Sequence, residues 1–197
     1  IEWLIMDDGS TDNTKNIVQE FQKENVSGLE IKYFMQENQG KMKAINNLME
    51  YVTGDLVMDC DSDDYFLKNA FENIYKNSEE LVSNNNLYAI AFLRSSEYEN
   101  IQGKKFENTE QETTMFDLYF KNGMDGEKIL VFKTLIRKMY VHKLENNEKF
   151  VTEARMYYEI EEKYKIKCYN IEVVSGTYLD GGYTKKSLEL FVKYPVG

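Results

Sequence analysis

Four carboxylates follow directly after an apolar run in the segment LVMDCDSDDYF, residues 56–66: Asp59, Asp61, Asp63 and Asp64. Unit charges about 5 Å apart repel by roughly 1 kcal/mol in water, and by several times that near a protein surface. Such a cluster therefore requires a bound cation or a shared proton, unless its acids simply point apart into solvent. The segment predicts either a divalent metal site or the solvated end of a strand that caps the next helix.

The spacing of these acids excludes a calcium-binding EF-hand loop. Asp59, Asp61 and Asp63 match positions 1, 3 and 5 of such a loop. Position 6, however, requires glycine and holds Asp64, and position 12 requires glutamate and holds Ala70. The calcium interpretation therefore fails.

Two phosphate chemistries offer other uses for strand-end acids. A haloacid-type phosphatase needs Asp-x-Asp-Gly-Thr after its first strand, but the residue two positions before Asp8 is Met6, so the nucleophile is lacking. A Mg²⁺ or Mn²⁺ ion that bridges the two phosphates of a nucleotide sugar takes only one or two protein carboxylates, and water and phosphate oxygens complete its shell. A short acidic cluster at the end of a strand suits this last chemistry.

Alternating strands and helices are predicted to position these acids. Apolar runs over residues 1–6, 29–35 and 55–58 indicate buried strands, and a segment with helical apolar spacing follows each of them. Further along, the pattern predicts strands over 87–93, 128–132 and 168–175, helices over 115–120 and 153–164, a polar loop over 97–112 and a Gly-rich turn at 180–182. The alternation predicts an α/β fold with a mostly parallel sheet flanked by helices.

Both acidic clusters fall at strand ends in this arrangement. Asp7 and Asp8 follow the first strand, and residues 59–64 follow the third. Ligands of open parallel sheets lie beyond the carboxyl ends of the strands. Two carboxylate groups at one edge of one sheet therefore predict a functional site there.

Length and composition limit the classes of protein to consider. The 197 residues suffice for one domain with a sizeable core. The net charge of −10 argues against nucleic acid as a partner, because that binding depends on clustered Lys and Arg. The two cysteines show no metal-ligand spacing, and no apolar run approaches the length of a membrane helix. We expect a soluble protein of the reducing cytoplasm.

Three ordered motifs carry a family resemblance. They are Met6-Asp-Asp-Gly-Ser-Thr-Asp-Asn-Thr14, Glu37-Asn-Gln-Gly-Lys-Met-Lys-Ala-Ile-Asn46 and Asp59-Cys-Asp-Ser-Asp-Asp64. Their order and spacing resemble the successive signatures of family 2 glycosyltransferases with the GT-A fold. The resemblance covers roughly residues 1–70 and is weak in the second half of the chain. It implies a Rossmann-like nucleotide-sugar-binding half, residues 1–85, and an acceptor-binding half, residues 86–197, in a single domain.

The resemblance also implies roles for the acids and for the Asn-Gln-Gly-Lys loop. It implies that Asp8 binds the nucleotide base and that Asp7 lies beside it. In the Asp-x-Asp signature one acid contacts the ribose or a water and another holds a divalent metal, Mn²⁺ or Mg²⁺. This maps nucleotide binding to Asp61 and metal binding to Asp63, Asp61 or Asp64, and leaves open which of the three contacts the ion.

Three further residues complete the implied site. Gly40 and Lys41 lie in the loop that this family places near the nucleotide, although Lys41 equally fits a solvated lysine at a helix start. The catalytic base of the family is an acid at the start of a helix in the second half, often in a Glu-Asp pair. Glu153 takes that place here, but Ala154 replaces the second acid. Alternatively, Glu153 has only a structural role, as an acid in the first turn of a helix, where the helix dipole stabilises its negative charge.

The resemblance implies a metal-dependent, inverting transfer of sugar from a nucleotide diphosphate sugar, with UDP as the expected nucleotide. The acceptor is a hydroxyl of a glycan, lipid-linked glycan or polymer in bacterial-type cell-surface polysaccharide synthesis, which fits a position at the inner face of the membrane. Two alternatives stay open: a nucleotidyltransferase of similar architecture, and a non-catalytic binding module. The family's first strand would precede Ile1 and is absent from this sequence.

Overall fold

The structure is a computed structural model, and it describes residues 1–96, 101–145, 148–176 and 187–194. Its strands are β1 Glu2–Asp7, β2 Glu30–Met35, β3 Leu56–Met58, β4 Asp64–Phe66, β5 Leu87–Ser95, β6 Lys128–Lys133 and β7 Lys165–Gly176. Its α-helices are α1 Thr14–Glu24, α2 Lys41–Leu48, α3 Ala70–Ser83, α4 Thr134–Met139, α5 Glu153–Glu161 and α6 Ser187–Lys193, and a π-helix spans Asp117–Lys121. The predicted Gly-rich turn at 180–182 lies outside the described residues.

The first half of the chain begins with a two-stranded parallel sheet. β1 and β2 pair in register from Glu2 opposite Glu30 to Asp7 opposite Met35. The Glu2 carboxylate accepts hydrogen bonds from the backbone N–H groups of Thr53 and Gly54, at 2.7 and 2.9 Å. This contact ties the start of β1 to the turn that leads into β3.

The second sheet has five strands in the order β3-β6-β5-β7-β4. Only β5 and β7 run parallel in it, whereas β3 with β6, β5 with β6, and β4 with β7 are antiparallel. The alternation predicted a mostly parallel sheet, and this part of the prediction is wrong. Antiparallel neighbours need no helical crossover, so the irregular segments after residue 85 return strands to the sheet in the opposite direction.

The centre of the molecule is β5, whose nine residues are all buried. Tyr88, Ala91 and Leu93 pack into one apolar cluster, and Ile90 and Phe92 belong to another. A strand covered on both faces reads as a continuous apolar run rather than an alternating one. The apolar sequence of β5 fits this central position, which was not predicted, and the buried strand supports the site at its end.

The other predicted elements are found with shifted ends. The helix expected over 153–164 ends at Glu161, and the strand expected over 168–175 extends from Lys165 to Gly176. The segment expected as a helix over 115–120 forms the π-helix instead. No helix within the described ranges is both long and apolar enough to cross a membrane.

We predict that the core outside the site is sensitive to truncation of Leu81 in α3. Leu81 is fully buried, so the change Leu81→Ala leaves a cavity and should lower the free energy of unfolding by about 2–5 kcal/mol. The matched change Leu135→Ala in α4, where the side chain is 82 % exposed, should alter it by less than about 0.5 kcal/mol. Urea denaturation followed by circular dichroism measures both, and equal effects would contradict this packing.

Candidate active site

A recess opens at the carboxyl end of β3, where the acidic segment begins. It is bordered by the start of α2, the loop between β3 and β4, the start of β6, and α5. Its polar lining consists of Lys41, Asp59, Asp61, Asp64, Glu127, Lys128, Glu153 and Tyr157. Segments far apart in the sequence thus bring five carboxylates and two lysines together.

Lys41 lies at the middle of this group, between two carboxylates. Its Nζ is 2.8 Å from Asp61 Oδ1 and 3.2 Å from Glu153 Oε1. Burial alone would lower the pKa of the ammonium, but the charges of Glu153 and Asp61 prevail and raise it above its usual value. Lys41 therefore stays protonated and connects the acidic segment to α5.

Gly40 allows the chain to enter α2 at this place. Its φ is +93°, a left-handed conformation that glycine adopts without strain. A β-carbon there would also overlap the carbonyl of Lys149, which packs directly against it. Glycine is therefore required at position 40 for Lys41 to start α2 beside the recess.

Glu153 is the first residue of α5, and its carboxylate faces the recess. It accepts a hydrogen bond from the Tyr157 hydroxyl at 3.0 Å in addition to the Lys41 contact. Burial raises the pKa of this carboxyl, but Lys41 and the Tyr157 hydroxyl outweigh it and hold the pKa below its ordinary range. Glu153 is therefore ionised at neutral pH, as a proton acceptor must be.

Asp8 contacts the loop that precedes α2 rather than the recess. Its carboxylate accepts hydrogen bonds from the side chain of Gln36 at 2.7 Å and from the backbone N–H groups of Gln39 and Gly40, both at 2.8 Å. These contacts fix the loop that carries Gly40 and Lys41. Contact with a nucleotide base stays a prediction for Asp8.

Asp7, the neighbour of Asp8, is buried within the protein. Its carboxylate accepts hydrogen bonds from the Tyr33 hydroxyl and from the Ser10 backbone N–H at 2.6 Å. Burial raises the pKa of Asp7, but these hydrogen bonds lower it overall. The structure thus places Asp7 and Asp8 together as supports of the turn and the loop, outside the lining of the recess.

The four acids of the segment 59–64 occupy different environments. Asp59, Asp61 and Asp64 line the recess and Asp63 lies outside that lining, although Asp59 and Asp63 are both exposed. Asp59 follows the last residue of β3, as predicted for a strand end. Partial removal of water by the neighbouring protein raises the pKa of Asp59; the charge of Arg137 opposes this shift, and the charge of Glu153 adds to it.

The oxygen donors of the recess fit a hard divalent cation, which prefers carboxylate ligands. Among the residues that the structure describes, however, no three carboxylate, histidine or cysteine side chains are already grouped around one point. An ion of this kind takes only one or two protein carboxylates and fills its other positions with phosphate and water. Metal binding by Asp61, Asp63 or Asp64 stays a prediction.

Sequence reasoning missed two charged residues and a tyrosine of this site. Glu127, just before β6, lines the recess, and burial raises the pKa of its carboxyl. Arg94 at the end of β5 forms an ion pair with Asp64, and Tyr157 donates to Glu153. A charged residue at position 94, directly after the apolar run of β5, was the one signal available in the sequence.

His142, the single histidine of the chain, has a structural position. It is buried, and its Nε2 lies 3.1 Å from Nη2 of Arg137. Burial and the Arg137 charge lower the pKa of the imidazole to about 4. His142 is therefore neutral at physiological pH, and it does not line the recess.

Solved structures share this architecture. S. aureus TarS in complex with UDP-GlcNAc superposes with a TM-score of 0.61 at 19% identity, over 93% of this chain and 51% of that one. The mannosyltransferase PcManGT from Pyrobaculum calidifontis, in complex with GDP-Man and Mn²⁺, gives 0.60 at 18% identity, over 98% and 54%. The chain therefore has the α/β fold of GT-A glycosyltransferases, as predicted.

The sequence comparison specifies the family. The profile of Glycosyl transferase family 2 matches residues 1–144, and the chain belongs to this family. A GalNAc(5)-diNAcBac-PP-undecaprenol beta-1,3-glucosyltransferase of Campylobacter jejuni is 34% identical over 82 residues, which are 41% of this chain and 26% of that protein. An uncharacterized glycosyltransferase of Mycoplasma pneumoniae is 36% identical over 74 residues, 36% and 23% of the two chains. The chain spans about a quarter of the length of these curated relatives.

We predict that Lys41 controls the protonation of Glu153. The change Lys41→Met removes the ammonium that stabilises the ionised carboxylate and leaves the burial in place, so the pKa of Glu153 should rise. A ¹³C NMR titration of the Glu153 carboxyl, assigned with Glu153→Gln, measures the shift. The control Lys143→Met removes a lysine 2.7 Å from Glu159 on the exposed side of α5 and should leave the pKa of Glu153 unchanged. An unshifted pKa in Lys41→Met would show that the ion pair does not form in solution.

Proposed function

We propose that this protein transfers a sugar, with inversion, from a nucleotide diphosphate sugar to a hydroxyl acceptor. The observation that carries the proposal is the contact of Lys41 with both Asp61 and Glu153. This contact joins the Asn-Gln-Gly-Lys loop and the acidic segment 59–64 to Glu153, which is expected to act as the general base. A donor-binding motif and a proton acceptor in one recess are what a direct displacement requires.

The nucleotide half, residues 1–85, binds the donor in this proposal. Asp8 and Asp7 hold the nucleotide end through the turn after β1. Gly40 and Lys41 approach the diphosphate in this proposal, and the Lys41 ammonium, 2.9 Å from Asp61 Oδ2, supplies positive charge beside the acidic segment. Asp61 contacts the ribose or a bound water.

Asp63 and Asp61 are the proposed ligands of a divalent metal, Mn²⁺ or Mg²⁺. When bound, such an ion neutralises the charge that builds on the leaving diphosphate. Asp64 was a third candidate, but Arg94 contacts both of its carboxylate oxygens and its side chain is only 7 % exposed. Lys41 also contacts both oxygens of Asp61, but that side chain is 40 % exposed and is open to a further ligand. The complex of PcManGT with GDP-Man and Mn²⁺ supports divalent metal use in proteins of this fold.

Glu153 accepts the proton of the acceptor hydroxyl in the proposed reaction. The hydroxyl oxygen then forms its bond to the anomeric carbon as the bond from that carbon to the diphosphate breaks on the opposite face. This single displacement inverts the anomeric centre and needs no covalent enzyme intermediate. The ionised state of Glu153 supports the role.

UDP is the proposed nucleotide, because TarS binds UDP-GlcNAc and UDP in structures of the same fold. The acceptor class follows from the Campylobacter jejuni relative, whose name specifies an undecaprenol-linked glycan. We therefore propose a glycan, a lipid-linked glycan or a related polymer of the cell surface as acceptor, bound by residues 86–197. Such an acceptor fits a protein at the inner face of the membrane.

A nucleotidyltransferase is the second candidate. A putative glucose-1-phosphate thymidylyltransferase from Bacillus anthracis superposes with a TM-score of 0.55 at 11% identity, over 98% of this chain and 76% of that one. The two reactions differ in products, because a nucleotidyltransferase releases pyrophosphate from a nucleoside triphosphate and a glycosyltransferase releases a nucleoside diphosphate. A non-catalytic module, the third possibility raised by Ala154, would bind a nucleotide sugar without turnover.

We predict that nucleotide binding by the full-length protein depends on metal. UDP or a UDP-sugar at a hundred times its dissociation constant should stabilise the fold by about 2.7 kcal/mol with Mn²⁺, and much less with a chelator. Thermal shift against UDP, GDP, nucleoside triphosphates and a UDP-sugar panel measures this. Asp63→Ala should abolish the metal dependence, whereas Asp55→Ala, outside the recess, should preserve it. Absence of any metal-dependent stabilisation would refute the proposal.

We further predict that Glu153→Gln retains donor binding and loses transfer. The amide keeps the shape of the side chain but cannot accept the proton, so kcat should fall by roughly 10²–10⁴-fold. Release of UDP from a UDP-sugar with a glycan acceptor measures the rate. Glu159→Gln, an acid of the same helix outside the recess, is the matched control.

Glu127→Gln tests Glu153 against Glu127, the other glutamate that lines the recess. If Glu127→Gln loses transfer and Glu153→Gln retains it, Glu127 is the base and our assignment of Glu153 is wrong. The raised pKa of Glu127 makes this comparison necessary, because a carboxyl with a raised pKa is the stronger base.

A further inference from the structure

A buried ion pair behind the recess joins the acidic segment to β5. The Arg94 guanidinium donates from Nε to one carboxylate oxygen of Asp64, at 3.1 Å, and from Nη2 to the other. The two side chains are only 3 % and 7 % exposed. A forked contact of this kind fixes orientation as well as charge, which a lysine cannot do.

The chain around this pair is packed closely enough to specify its geometry. Asp64 pairs with Gly176 of β7, and a β-carbon at Gly176 would overlap the Asp64 carboxylate and come within 2.8 Å of Nη2 of Arg94. Gln102 accepts a hydrogen bond from the Nη1 group of Arg94, and Glu127 lies 3.7 Å from its Nε. Asp64 therefore has one orientation, toward β5.

We propose that Arg94 is a positioning residue of the donor site: by holding Asp64, it fixes the loop 59–64 so that Asp61 keeps its place in the recess beside the exposed Asp63, and Asp64 is excluded from the metal ligands. This inference rests on the proposed function. It goes beyond the motif, which leaves open which of the three acids contacts the ion.

The anchoring of the loop explains how a short acidic segment holds its charges in place. One end of the loop leaves β3, which pairs with β6, and the other end enters β4 at Asp64. Between these ends Lys41 holds Asp61, and the backbone N–H of Asp64 donates to the carbonyl of Asp61 at 3.1 Å. Without the contact at Asp64, the carboxylates would separate by their mutual repulsion.

Cys60 reports on this loop without any ligand. It is exposed and lies between Asp59 and Asp61, whereas Cys168, the other cysteine, is buried. In the ordered loop the Cys60 thiol lies 3.7 Å from the backbone carbonyl oxygen of Asp61, to which it donates a weak hydrogen bond. Alkylation by the neutral reagent iodoacetamide should be slower while this contact holds the thiol and faster when the loop opens.

The first experiment measures Cys60 alkylation by mass spectrometry in Arg94→Lys and Gly176→Ala. Arg94→Lys keeps the charge and removes the fork, and Gly176→Ala displaces Asp64 without changing any charge. Both should raise the rate by about fivefold or more. The control Glu80→Gln, which breaks a 2.6 Å ion pair with Lys167, should leave the rate unchanged. Unchanged rates in both test variants would overturn the inference, whether or not the protein binds nucleotides.

The second experiment is a double-mutant cycle on the affinity for UDP with Mn²⁺, measured by calorimetry. Asp64→Asn and Arg94→Gln should each weaken UDP binding by about tenfold. The double variant should bind UDP with no lower affinity than the single variant that binds it less tightly. The double variant also avoids the uncompensated buried charge that a single change leaves. If the losses of affinity in the two single variants multiply in the double variant, Asp64 is a metal ligand in its own right. If the variants change the melting temperature but not the affinity, the ion pair is merely structural. Either result overturns the inference.

The two experiments separate the inference from the proposed function. If the unmodified protein shows no metal-dependent UDP binding, the proposed function fails, and the alkylation rates still decide whether Arg94 holds the loop. If binding is present and the alkylation rates do not change, the inference alone fails.

Discussion

The contact of one ammonium group with two carboxylates organises the candidate active site. Lys41 begins α2, Asp61 follows β3, and Glu153 begins α5, so three separate connections of the chain meet at a single Nζ atom. Each of the three side chains is still between 29 and 40 % exposed. An ion pair with such exposure adds little stability. Its importance therefore lies in placing the groups, and the fold must be stabilised elsewhere.

That stability comes from β5 and the two apolar clusters on its faces. The strand carries the site as well, because Arg94 at its end is the partner of Asp64. Two ion pairs thus hold the acidic loop at two of its residues, Asp61 and Asp64. The exposed one, at Lys41, is open to exchange with a ligand, whereas the buried one, at Arg94, is expensive to break. This difference suits a loop that must keep its shape while its solvent-facing carboxylates change partners.

The sequence was sufficient for the parts of the site that local patterns encode. Lys41, Asp61 and Glu153 each follow or begin an element that the apolar periodicity predicted, and their meeting follows from the α/β architecture. Glu127 and Arg94 were missed because their roles depend on pairing between β5, β6 and β7. No local pattern fixes that pairing, and the antiparallel strands of the second sheet contradicted the expectation of a mostly parallel one. β4 was missed for a related reason, since a three-residue strand that starts with an acid resembles a loop.

The charge balance of the recess constrains how a donor enters it. Five carboxylates and two lysines line it. Arg94 neutralises Asp64, Lys41 is shared between two acids, and Nζ of Lys128 is turned to the backbone carbonyls of residues 125 and 126. The remaining acids leave an excess of negative charge where the diphosphate of the proposed donor would lie, and like charges repel strongly at such short range. We infer that a cation accompanies the diphosphate in the proposed reaction, and that the donor and the metal ion then each strengthen the binding of the other.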